Sequence, residues 1–117
     1  YSNCLRVGSD SVPRAEDGSL TITHSVVACA TDNNFAEQTI NGGTAQAWFT
    51  AQDGNSVMEA SMLGLSDNGY MPTAESALLG AGFDSSGLNS FFDKVDYIGA
   101  MDAQTDWTAG WVKVGLE

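Results

Sequence analysis

The last thirty-five residues, FDSSGLNSFFDKVDYIGAMDAQTDWTAGWVKVGLE, constrain the chain most. They carry Phe83, Phe91, Phe92, Tyr97, Trp107 and Trp111, at spacings that hold neither a 3.6-residue nor a 2-residue period. A helix or strand presenting one apolar face cannot be written with such spacing. The expected outcome is irregular extended chain anchored by large rings, each able to bury about 150–250 Å², enough to offset the ordering of nearby loop residues.

Upstream, the clearest β signal is SLTITHSVVACA, in which Leu20 and Ile22 alternate with Thr21 and Thr23. His24-Ser25 interrupts it before Val26 and Val27 resume, so two short strands with a bend are expected. NCLRV (3–7) is a further short β-favouring run, and SVPRAEDG (11–18) reads as a turn around Pro13 and Asp17-Gly18. AQAWFTAQ is a strand or a helical turn, flanked by turns at Asn41-Gly42-Gly43 and Asp53-Gly54-Asn55. VMEASMLGL (57–65) is read as strand.

Cys4 and Cys29 stand 25 positions apart and belong to no CxxC or Cys/His cluster, which argues against a thiolate metal site. One disulfide is expected, with two buried thiols as the alternative. Aligning NCLRVGSD with VACATDNN puts a cysteine at the same point of two strand-and-turn units, as in adjacent coils of a solenoid.

A chain of 117 residues fits one domain, burying roughly two thirds of its unfolded surface. Fifteen Asp and Glu against four Lys and Arg give a net charge of −11, and no Lys or Arg lies between Arg14 and Lys94. Such a field repels phosphate backbones and anionic membranes, which excludes nucleic acid as a natural partner and favours solubility, cations or basic partners. No run approaches the roughly 18 apolar residues of a membrane span. The chain begins at Tyr1, and a mature or excised piece of a longer protein is expected.

LTITHSVVAC, AWFTAQDGN, GYMPTAESALLGAG and above all FFDKVDYIGAMDAQTDWTAGWV resemble the C-terminal section of a family of large secreted or outer-membrane-associated, lipoprotein-like bacterial proteins. The most specific element is Tyr97-x-Gly99-Ala100 followed by Trp107-x-x-Gly110-Trp111. The resemblance implies a mostly β fold: terminal coils of a right-handed parallel β-helix over 1–82, closed by an irregular aromatic cap over 83–117, as one structural unit. Pro72, Ser76 and Gly82 then mark the last coil, with Glu75 and Ala77 where such phrases read Ser-Pro. Phe91, Phe92, Tyr97, Trp107 and Trp111 form the lid. A solenoid end exposes unpaired backbone groups, and such a lid would cover them.

Catalysis finds little support in the residues. His24 is the sole histidine, Ser25 beside it would point the other way on a strand, and no G-x-S-x-G elbow exists. No pair of carboxylates is marked for glycoside chemistry. Cofactors are not expected, although calcium could use the oxygen donors Asp32, Asn34, Asp53, Asn55 and Asp67, which lie in turn-rich loops without an EF-hand pattern. Trp48 and Tyr70, beside amides and acids, could stack sugar rings.

The reading is a non-catalytic extracellular or cell-surface module, structural or adhesive, engaging its parent, a neighbouring subunit, a second copy or a glycan. A calcium-dependent carbohydrate-binding domain and a fragment of a polysaccharide-degrading enzyme are the rivals.

Overall fold

A computed structural model describes residues 3–29, 34–67 and 70–110. Helix α1 spans Val12–Glu16 and follows a 3-10 turn at Ser9–Ser11. Pro13 sits in its first turn, where the missing N–H costs nothing. Gly18, at φ 78°, ends it, and Leu20 N–H donates back to Arg14 C=O at 2.8 Å. The stretch expected as a turn is therefore a short helix, because proline at a helix start and proline in a turn look alike in sequence.

Strands β2 (Thr39–Ile40) and β3 (Gly43–Thr44) form an antiparallel hairpin, with Thr39 opposite Thr44. Asn41 and Gly42 both have positive φ, 52° and 76°, as a two-residue turn between right-twisted strands requires. Thr44 caps helix α2 (Ala45–Thr50), its hydroxyl accepting from Ala47 N–H at 3.1 Å. Ala45 and Phe49, one helical turn apart, face inward and are buried.

The main core is small. Val7, Ala15, Ile40 and Ala45 cluster at its centre, with Val12, Leu20, Phe35 and Trp48 packed against them. Phe49, 1% exposed, meets the Phe35 ring at a centroid distance of 5.5 Å.

Strand β1 (Val26–Val27) pairs in parallel with β4 (Ser56–Val57), and Leu5 pairs in parallel with Phe35. Both pairings join residues 30 apart, 5 with 35 and 26 with 56. Between these brief ladders, side-chain amides take the place of strand partners. Gln38 accepts from Val7 N–H at 2.9 Å and donates to Val7 C=O. Gln52 accepts from Ile22 N–H, and Asn55 accepts from Ser25 N–H, each at 2.9 Å. Asn55 also donates to the carbonyls of Ile22 at 2.6 Å and Phe49 at 2.9 Å.

Cys4 and Cys29 form a disulfide, Cα atoms 6.2 Å apart. Closing a loop of this length contributes about 3.5 kcal/mol on the chain-entropy account.

The second half is held by turns. Leu65 bridges Pro72, and Gly64, at φ 64°, lets Thr73 N–H reach its carbonyl at 2.7 Å. Ser76, buried, donates its hydroxyl to Leu63 C=O. Ile98 N–H donates to Leu78 C=O and Gly82 N–H to Asp96 C=O, both at 2.8 Å, so 78–82 and 96–98 run side by side. Leu78 and Met101 are the buried apolar residues here.

A β-helix is not what this chain forms. The strands among the described residues are two residues long and lie in two separate two-stranded sheets, with no stacked or closed sheet. Three local causes account for this. His24 adopts φ 49° and breaks the long β-favouring run, so Leu20–Thr23 stays outside both sheets. AQAWFT takes its capped helical option. Residues 57–65 divide into the end of β4 and a 3-10 turn at Ala60–Leu63 that Gly64 terminates. The cysteines do not mark equivalent points of successive coils either, since Leu5 pairs with Phe35, five positions beyond where a 25-residue repeat places its partner.

The lid reading falls with the solenoid. Phe91 is 87% exposed and Trp107 59%, Phe92 is exposed and Tyr97 half-buried, while Trp111 lies outside the described residues. Pro72, Ser76 and Gly82 instead have local tasks in a turn-built segment.

Candidate functional site

His24 is the natural starting point for chemistry. Its backbone N–H donates to Asp53 C=O at 2.9 Å, and its Nε2 lies 3.9 Å from Asp53 Oδ2. Phe83 meets the imidazole edge-to-face at 5.5 Å. A Cβ on Gly54 would come within 2.7 Å of the ring, so only glycine lets that turn approach. The Ser25 hydroxyl donates to Thr23 C=O at 3.0 Å, and both cysteines are oxidised. The imidazole thus packs the Asp53-Gly54 turn against Phe83, joining the two halves of the chain.

The residues considered for calcium separate. Asp32 lies outside the described residues. The side-chain oxygen of Asn34 accepts from Cys29 N–H at 2.9 Å, and that of Asn55 from Ser25 N–H. Asp53 stands against His24, and Asp67 is exposed near the Leu65–Pro72 bridge. Among the described residues no three His, Cys, Asp or Glu side chains gather as a metal-holding group.

The two residues considered for sugar stacking differ in setting. Trp48 is half-buried at the core's edge, its Nε1–H donating to Ala15 C=O at 3.3 Å. Tyr70 donates its hydroxyl to Asp106 Oδ2 at 3.3 Å and so ties the middle of the chain to its C-terminal segment.

That segment is the most distinctive surface. Among the described residues seven large apolar side chains are exposed, and six belong to 83–107: Phe83, Leu88, Phe91, Phe92, Val95 and Trp107. Phe91 and Phe92 meet edge-to-face at 5.5 Å, and Trp107 Nε1–H is fixed by Ala100 C=O at 2.8 Å. Acidic turns hold this backbone. Asp102 accepts from the N–H groups of Gln104 at 2.8 Å and Thr105 at 2.5 Å, and Asp106 accepts from the Thr108 hydroxyl at 2.6 Å and its N–H at 2.9 Å.

These bonds favour the charged carboxylates. The Gln104 amide, seconded by Thr105, holds Asp102 below its ordinary 3.8; the Thr108 hydroxyl leads the same effect at Asp106, with Thr108 N–H and Tyr70 adding to it. Because the folded values are depressed, the stabilisation is present above 3.8 and is lost as pH falls through the lower folded values. Titrated by NMR, the amides of Gln104, Thr105 and Thr108 are expected to shift with midpoints below pH 3.8. A midpoint at or above that value would show that these turns do not persist in solution.

Sequence alone did not single out Gln38, Gln52 or the His24–Phe83 contact, since glutamines in polar loops read as solvated and nothing links positions 24 and 83. No helix among the described residues is long and apolar enough to cross a membrane. The Cys4–Cys29 bond is consistent with an oxidising compartment. Comparison with family models, with curated proteins and with solved structures finds no match to the chain.

Proposed function

We propose that this is a non-catalytic extracellular or cell-surface module, structural or adhesive, that docks onto a protein surface through its aromatic C-terminal segment. The observation carrying the reading is the concentration of six of seven exposed large apolar side chains in 83–107. Isolated exposed leucines are ordinary, but clustered rings held on a hydrogen-bonded backbone are how interfaces are built. The chain exposes as many large apolar side chains as it buries apolar residues of any size. Five aspartates and a single lysine accompany them between 83 and 107, so the complementary surface is apolar with a basic rim. Oxidised cysteines and the packing role of the sole histidine support a non-catalytic part.

With no such partner present, a second copy is the available apolar surface. The isolated chain is expected to elute above its 12.3 kDa monomer mass, and more so at high salt, where the −11 charge is screened. Replacing Phe91 and Trp107 together by serine should restore the monomer without lowering Tm, because both rings are exposed. Light scattering on the chromatographic peak decides: a monodisperse wild-type monomer at all salt concentrations refutes the reading.

A further inference from the structure

A second recognition site lies away from the aromatic segment, between α1 and α2. There a cleft of about 460 Å³ opens beside Trp48, within the 300–1,000 Å³ range of small-ligand sites. Leu20 and Ile40 supply apolar floor, and the Trp48 indole stands as a wall. The bond from its Nε1–H to Ala15 C=O fixes the ring plane, so little side-chain freedom remains to be lost on binding.

The rim is polar and rich in acceptors. Glu16 uses Oε1 to accept from Asn41 N–H at 3.2 Å, which leaves Oε2 for a ligand. Asn41, held at φ 52° in the hairpin turn, donates Nδ2–H to Glu16 C=O at 3.4 Å and presents its own amide oxygen as an acceptor. Thr21 adds an exposed hydroxyl. Among the described residues no Lys, Arg or His lines the cleft.

We infer that this cleft binds a pyranose sugar that carries no acidic group. An indole wall matches the C–H face of such a ring, while hydroxyls at its edge donate to Glu16, Asn41 and Thr21. A purely aliphatic ligand would desolvate the Glu16 carboxylate without replacing its hydrogen bonds. A uronate or sulfated sugar would set like charge against Glu16 in an already acidic field. The inference is independent of the docking role, which uses other residues.

The test follows indole N–H resonances of the whole chain during titration with cellobiose, maltose, N,N′-diacetylchitobiose and digalacturonate. Trp107→Phe and Trp111→Phe assign the Trp48 signal without disturbing the core. At least one neutral disaccharide is expected to shift the Trp48 resonance, and digalacturonate to leave it unmoved. Glu16→Gln keeps the oxygen that accepts from Asn41 N–H, so Tm should hold while affinity falls about tenfold, the loss of one charge-assisted bond. The inference is overturned if no neutral disaccharide moves the Trp48 signal, if digalacturonate binds equally well, or if Glu16→Gln leaves affinity unchanged. Phe91→Ser/Trp107→Ser should bind the sugar as the wild type does, which separates this result from that on docking.

Discussion

Replacing Asn55 by alanine is expected to destabilise the chain by about 3–4 kcal/mol, a large share of the stability of a domain this small. Its side chain serves three backbone groups at once: Ser25 N–H at 2.9 Å, Ile22 C=O at 2.6 Å and Phe49 C=O at 2.9 Å. Those groups belong to segments about 30 residues apart, and removing the amide orphans all of them in a part-buried setting. Asn55→Asp keeps the shape and the acceptor but turns both donated bonds into contacts between a carboxylate and carbonyl oxygens, so at neutral pH it should be about as damaging. Urea unfolding followed by circular dichroism gives the values. A loss below about 1 kcal/mol for Asn55→Ala would mean that water replaces the amide without penalty and that the stitch is incidental.

The second large effect is steric. A Cβ on Gly82 would lie 2.7 Å from the carbonyl carbon of Asp96 and from the backbone nitrogen and oxygen of Tyr97. None of these atoms can rotate away as a side-chain tip could, so the 78–82 and 96–98 segments must separate. Gly82→Ala is expected to cost about 2–3 kcal/mol and to abolish hydrogen-exchange protection at the Gly82 and Ile98 amides. Gly87→Ala is the matched control, since nothing stands within 4 Å of a Cβ there and its effect should stay within about 0.5 kcal/mol. Retained protection at both amides in Gly82→Ala would show that the two segments do not pair in solution.

What could be read from the letters was chemistry confined to a few neighbouring residues. Asn41-Gly42 announces a tight turn because both central residues must take positive φ, and the hairpin is there. The two cysteines, outside any ligand cluster, are joined. Long-range order was another matter. The β-favouring stretch from Leu20 to Ala28 has the composition of a strand, yet His24 bends it and only Val26 and Val27 enter a ladder. Propensity describes the surface a residue suits, and here the neighbouring surface is a row of side-chain amides. Those amides explain the site reading as well. Asn34 and Asn55 were chosen for their oxygens, which is the right property, but the donors they serve are backbone N–H groups. The aromatic C-terminal segment invited the opposite misreading, since rings suggest burial by their area, and here that area is turned outward.

Asn55 has a neighbour whose position matters over the lifetime of the molecule. Spontaneous loss of an asparagine's side-chain nitrogen begins when the following residue's backbone nitrogen attacks the amide carbon. Here that nitrogen, on Ser56, is held by Ser25 C=O at 3.0 Å, while the amide itself is fastened on three sides. The folded chain therefore guards the bond that an opened chain leaves free to cyclise. An opened copy that ages becomes the aspartate form, which lacks the stitch needed to close again, so unfolding leaves a lasting chemical mark on the chains that suffer it.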